Sequence, residues 1–192
     1  MGGKRPNVRR LIVFNQVSLD GYFCDEHGDM SWAHKNDPEW NDFVAGNARG
    51  NGMLLFGRVT YDMMVAFWPT PAAAEAMPDV AKGMNELPKV VFSRTLAKSS
   101  WKNTTVVNSD PVAAVRKMKK ETGPDMVILG SGSIVAQLAG AGLVDEYQLI
   151  VNPLVLGDGR TLFEGLKKPV PLKLVNTRAF KNGNVLVSYQ PA

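Results

Sequence analysis

The chain has 192 residues, 45% hydrophobic and 21% charged, with a formal net charge of +4. This balance fits one globular domain and excludes a disordered polyelectrolyte. A surplus of 22 basic over 18 acidic residues is too thin for a nucleic-acid-binding surface, and no apolar run approaches the ~20 residues of a membrane span.

In chain order, residues 1–8 read as a disordered leader and residues 9–192 as a single domain. Met1 to Arg10 is polar and basic, with no apolar stretch behind it long enough for a signal peptide. The one cysteine, Cys24, permits no internal disulfide, which fits a reducing, cytoplasmic setting. The first predicted strand, Arg10–Val17, runs into Ser18-Leu19-Asp20-Gly21. Asp37 caps a predicted helix that starts at Pro38, with Trp40, Phe43, Val44 and Ala48 as its apolar stripe. The short apolar run Met53–Phe56 is the next strand, followed by a helix from near Thr60. A Pro- and Ala-rich loop then leads to a helix over Pro78–Asn85.

Two further short strands are expected at Lys89–Ser93 and Thr104–Val107. Asp110 caps a helix beginning at Pro111. Arg116, Lys117, Lys119 and Lys120 are read as its solvated face. Met126–Leu129 is a strand, Ser133 opens a helix, and Glu146–Val151 is a strand. Leu172–Ala179 and Asn184–Tyr189 flank Lys181-Asn182-Gly183, a hairpin signal. Alternating strands and helices imply an α/β fold, with helices on both faces of a mixed, mostly parallel sheet of about eight strands and a C-terminal antiparallel hairpin.

Ligands in such sheets bind outside the carboxyl ends of the strands. Three strand ends there share one character. They are Gly57-Arg58-Val59-Thr60, Ser93-Arg94-Thr95 and Gly130-Ser131-Gly132-Ser133. Each offers small residues, hydroxyls and free N–H groups. Two open helices, whose N-termini attract anions. Two carry an arginine able to grip a phosphate. Together they point to a ligand with several phosphates, although Val135 stands where the dinucleotide fingerprint has its third glycine.

Five segments in order resemble the dihydrofolate reductase superfamily: Val17–Gly21, Phe56–Tyr61, Val91–Leu96, Leu129–Ser133, and Val144–Tyr147 with Asn152–Phe163. The closer likeness is to the reductase domain of bacterial riboflavin synthesis and its stand-alone relatives, and it covers residues 9–190. The resemblance implies a three-layer α/β/α, dihydrofolate reductase-like fold and an NADPH-dependent oxidoreductase. Hydride would pass to a small heterocyclic or ribosylamino-pyrimidine-like substrate. Carried over, Gly57, Arg58 and Thr60 meet the cofactor phosphates. Ser93 and Arg94 hold the adenosine ribose and its 2′-phosphate. Leu129, Gly130, Ser131, Gly132, Ser133 and Ile134 cradle the pyrophosphate. Asp20 and Gly21 lie beside the nicotinamide and substrate, and Pro153–Phe163 closes the far side of the site. A homodimer through the terminal strands is implied as well.

The proton that accompanies hydride needs a source. Asp20 is the first candidate, as a partly buried acid with a raised pKa; the alternative is a turn residue bonding its own backbone. Asp42 is the second, on the helix where dihydrofolate reductases carry a carboxylate. By alignment Asn41 holds that position and Asp42 is one residue off, a turn of about 100°. Trp32, Trp40 and Trp68 are candidates to line a flat aromatic pocket. His27 and His34 fit no common metal spacing, Cys24 has no activating base, and the glycines beside Ser131 do not form a nucleophile elbow. Two other readings stay open: a nucleotide-binding module without turnover, and dihydrofolate reductase proper.

Overall fold

The computed structural model describes residues 9–33 and 37–192. The expected leader, residues 1–8, and His34 lie outside the described residues. The first strand, β1 (Leu11–Val17), is followed by a short strand β2 (Tyr22–Cys24) and a 3-10 turn at Ser31–Ala33. Helix α1 (Pro38–Ala48) then leads to β3 (Met53–Gly57), α2 (Arg58–Phe67), α3 (Pro71–Ala76), α4 (Pro78–Glu86) and β4 (Lys89–Phe92). After these come β5 (Thr104–Val107), α5 (Pro111–Met118), β6 (Met126–Leu129), α6 (Gly132–Gly140) and β7 (Glu146–Val151). The chain closes with β8 (Arg160–Thr161), β9 (Leu172–Ala179) and β10 (Val185–Pro191).

Eight strands form one sheet in the order β5-β4-β3-β6-β1-β7-β10-β9. Pairs among β5, β4, β3, β6, β1 and β7 are parallel, whereas β10 runs antiparallel to both β7 and β9. Helices cover both faces. Leu11, Val13 and Val17 of β1 pack with Val115 of α5 and Val135 and Leu138 of α6 on one face. Phe14 of β1 packs with Trp40 and Phe43 of α1 on the other, where Tyr61 of α2 and Val80 and Met84 of α4 extend the layer. Three layers around a mixed sheet is the expected architecture.

Capping chemistry starts the helices where the sequence predicts. Asp37 accepts the Trp40 N–H at 2.9 Å, and Asp110 accepts those of Val112 and Ala113 at 2.6 and 3.1 Å. α2 and α6 begin at Arg58 and Gly132, one to two residues before the expected starts.

Three elements depart from the sequence reading. The Pro- and Ala-rich segment contains a helix, α3. Thr70 is its cap, accepting the Ala73 N–H at 3.2 Å, and Pro71 is its first residue. That Thr-Pro pair was the signal in the sequence. Strands β2 and β8 are three and two residues long and pair only with each other. Strands that short leave no periodicity to read.

Candidate active site

Chain direction defines where a ligand can enter. After β1 and β3 the chain leaves to the face that carries α1 and α2, whereas after β6 it leaves to the face that carries α6. β6 lies between β3 and β1, so its carboxyl end borders crevices on both sides, the place where open α/β sheets bind ligands.

The turns after β3 and β6 are tied together there. The Gly57 N–H donates to Ser131 Oγ at 2.6 Å, and the Ser131 hydroxyl donates to Thr60 Oγ1 at 3.0 Å. The approach leaves little room for a side chain. A Cβ on Gly57 would lie 3.0 Å from Ser131 Oγ, and one on Gly130 would lie 2.8 Å from Thr60 Oγ1. Gly130 also has φ +59°, a conformation that favours glycine. Ser131 follows at φ +63°, a local strain for a residue with a Cβ. It is held by its bonds to Gly57 and Thr60. The Gly130 N–H donates to Asn15 Oδ1 at 2.7 Å. The sequence reading did not single out Asn15, although two amides, Asn15 and Gln16, interrupt an otherwise apolar strand.

The remaining phosphate candidates differ in readiness. Arg94 is exposed and makes no hydrogen bond or ion pair among the described residues. Ser133 is exposed in the first turn of α6. Ser93 is buried, and its Oγ accepts the N–H groups of Thr95 and Leu96 at 3.2 and 3.0 Å, so it first serves its own turn. Arg58 is engaged. Its Nε donates to both oxygens of Asp62 at 2.9 and 2.8 Å, and Nη1 reaches Thr95 Oγ1 at 3.4 Å. Ile134 is buried behind the turn. Leu129 is half-buried at the end of β6.

Asp20 corrects an expectation. Its carboxylate accepts the Ser18 hydroxyl at 2.6 Å and the N–H groups of Leu156 and Gly157 at 3.2 and 2.8 Å. These donors, the Ser18 hydroxyl first and the Gly157 N–H next, hold its pKa down at about 2. The raised pKa of a proton donor does not occur: Asp20 is exposed, and its hydrogen bonds all favour the charged form. It is ionised at neutral pH and fastens the end of β1 to the 154–157 loop. Gly21 follows at φ +90°.

Asp42 is exposed on α1, beside the half-buried Phe43. Two of the three candidate pocket tryptophans lie apart. Trp40 meets Phe180 edge-on at 5.3 Å in one cluster, whereas Trp68 packs with Met64 and Tyr61 in another. Cys24 is buried, and burial pushes its thiol pKa up. The Pro153–Phe163 segment reaches back across the site: the carbonyl of Thr161 and the ring of Phe23 lie against Gly132, where a Cβ would sit 2.9 and 3.0 Å from them.

Among the described residues no helix is long and apolar enough to cross a membrane.

Comparison with known proteins agrees with this architecture. The family model of the RibD C-terminal domain matches residues 9–186. The chain is 32% identical over 183 residues to the protein YyaP of Bacillus subtilis (strain 168), covering 94% of each chain. Its fold is similar to the diaminohydroxyphosphoribosylaminopyrimidine deaminase/5-amino-6-(5-phosphoribosylamino)uracil reductase of Thermotoga maritima, with a TM-score of 0.67 at 16% identity; the match covers 96% of this chain and 57% of that one. It is also similar to dihydrofolate reductase from Enterococcus faecalis complexed with NADP(H), with a TM-score of 0.65 at 16% identity, covering 95% and 96% of the two chains.

Proposed function

Because the chain belongs to the RibD C-terminal domain family, we propose that it is an NADPH-dependent reductase of a small heterocyclic or ribosylamino-pyrimidine-like substrate. The observation that carries this reading is the joined pair of turns: Ser131 binds Gly57 and Thr60 at once. The N-termini of α2 and α6 thereby open side by side at the crevice.

The residues fit the cofactor. The first N–H groups of α6 and the Ser133 hydroxyl suit the pyrophosphate. Arg94, exposed and unpaired among the described residues, suits the 2′-phosphate that distinguishes NADPH from NADH. Arg58 joins the phosphates if it turns from Asp62. When bound, the cofactor supplies the hydride.

The chain's own part is to hold the two reactants together and exclude water. Asp20, ionised, fixes the loop that closes over the substrate side and does not furnish the proton. Asp42 is the remaining acid candidate, with solvent water as the other source. The protein acts in the cytoplasm. A homodimer would form through β9, whose Leu172, Leu174 and Val175 are exposed on an open sheet edge.

Titration of tryptophan fluorescence with NADPH and with NADH tests the cofactor, and loss of NADPH absorbance against a panel of heterocycles tests turnover. Saturable NADPH binding with oxidation of a substrate supports the reductase. NADPH binding without oxidation of any panel member supports the non-catalytic module. Failure to bind either cofactor overturns both. Reduction of dihydrofolate with inhibition by antifolates would make it a dihydrofolate reductase proper.

A further inference from the structure

β1 outruns one of its neighbours. Its pairing with β6 ends at Phe14 opposite Leu129, while its pairing with β7 continues through Gln16 opposite Ile150 to Val17 opposite Val151. Gln16 is therefore flanked by β7 on one side and, on the other, by the crevice left where β6 turns away into α6. Strand alternation places it on the same face as Phe14, under α1, and it is half-buried.

Its orientation follows from hydrogen-bond logic. Asn152 is fully buried. One end of its amide faces the carbonyls of Val17 and Ile150, each at 3.2 Å, so that end is the Nδ2 donor. The same Nδ2 lies 3.4 Å from Gln16, so the Gln16 atom turned toward it is the acceptor, Oε1. Nε2 is left as the other end, and it has no acceptor among the described residues. A half-buried amide donor is thus turned away from its buried neighbour at the mouth of the crevice, four residues before Asp20 in the chain.

We propose that Gln16 is a specificity-determining residue whose Nε2–H donates to an amide-type carbonyl of the molecule in the crevice. Resting on the reductase reading, the carbonyl has two sources: the carboxamide of the nicotinamide ring, or a lactam of the heterocyclic substrate.

Three probes separate them. NADPH carries the carboxamide, 2′-phospho-ADP-ribose is the same cofactor without the nicotinamide, and lumazine (pteridine-2,4-dione) carries the lactam. Each is titrated against wild type, Gln16→Met, which keeps the bulk and drops the donor, and Gln16→Glu, which sets an acceptor against the carbonyl. The expected result is a loss of about tenfold in Gln16→Met, and more in Gln16→Glu, for NADPH or for lumazine, with 2′-phospho-ADP-ribose unchanged. A loss for NADPH assigns the carboxamide; a loss for lumazine assigns the lactam. Affinities for both that stay within about twofold in the two variants overturn the role of Gln16 and leave the reductase reading standing.

If wild type binds lumazine but neither cofactor form, the reductase reading falls and the lumazine arm alone decides Gln16. If wild type binds none of the three, both are overturned. Circular dichroism checks folding, and the isosteric Gln16→Glu decides if Gln16→Met does not fold.

Discussion

Ser131 Oγ accepts the backbone N–H of Gly57 at 2.6 Å, so the turns after β6 and β3, 74 residues apart in the chain, are one structural unit. The bond is buried. Replacing Ser131 with alanine leaves the Gly57 N–H without a partner, which costs about 1–3 kcal/mol. We expect Ser131→Ala to lower the urea midpoint accordingly. Gly57→Ala instead pushes a methyl to within 3.0 Å of Ser131 Oγ. It should weaken NADPH binding about tenfold or more by parting the turns. Equal NADPH affinity in Gly57→Ala and wild type would separate this unit from the cofactor site.

Arg94 should decide between the cofactors. A charge-assisted hydrogen bond to the 2′-phosphate contributes about 1.5–3 kcal/mol, roughly 10- to 150-fold in affinity. Arg94→Ala should lose that much NADPH affinity and keep its NADH affinity. Arg58→Ala should lose less, because its guanidinium already pairs with Asp62. A uniform loss for both cofactors in Arg94→Ala would place Arg94 on a phosphate common to the two.

Asp20 predicts a pH window. Its pKa falls from the ordinary 3.8 to about 2 in the folded protein, so the unfolded chain binds the proton first as pH drops. Its contribution to stability is complete above about pH 4 and is lost as pH falls through about 2. Asp20→Asn should flatten that part of the stability curve, read by thermal melts between pH 2 and 5. It should add or remove no inflection in turnover between pH 5 and 8. An inflection in that range that vanishes in Asp20→Asn would restore it as the proton donor.

Lys89 works in the opposite pH range. It is 1% exposed, and Nζ donates to the carbonyls of Met84, Asn85 and Leu87 at 2.8, 3.2 and 2.6 Å, closing the end of α4. It also lies 4.6 Å from the Trp101 ring centroid. Burial brings its pKa from 10.5 to about 8. Between those values the unfolded chain holds a proton that the folded one has released, so stability rises with pH across about 8 to 10.5. Lys89→Met should abolish that rise and, by stranding three carbonyls, destabilise the fold by about 2–4 kcal/mol near neutral pH. Denaturant melts at pH 7, 9 and 10.5 read both effects.

The open edge offers a test of assembly. All eight residues of β9 are exposed, including Leu172, Leu174 and Val175. Charging the edge with Leu174→Lys and Val175→Lys should convert a dimer to a monomer in light scattering while leaving the melting temperature of the monomer nearly unchanged. A wild-type protein that is monomeric at every concentration would remove the proposal.

The layered α/β fold was legible in the sequence because its signals are local. Asp37-Pro38 and Asp110-Pro111 start helices through their own side chains, and the run Met126–Leu129 is apolar because both its faces are covered. Asn182-Gly183 turns a hairpin by itself, with Gly183 at φ +89°. The glycine turns that could bear phosphate were legible for the same reason. What the sequence could not decide depends on groups brought together from distant positions. Asp20 is a carboxylate with a low pKa, rather than the raised one expected, because N–H groups from Leu156 and Gly157, more than 130 residues on, converge on it. Trp40 and Trp68 part into separate clusters because Trp40 stands on α1 whereas Trp68 caps the end of α2. Strands β2 and β8 exist only because each pairs with the other. The charge state of a group and the partner it meets are properties of its surroundings, and only the folded chain supplies those.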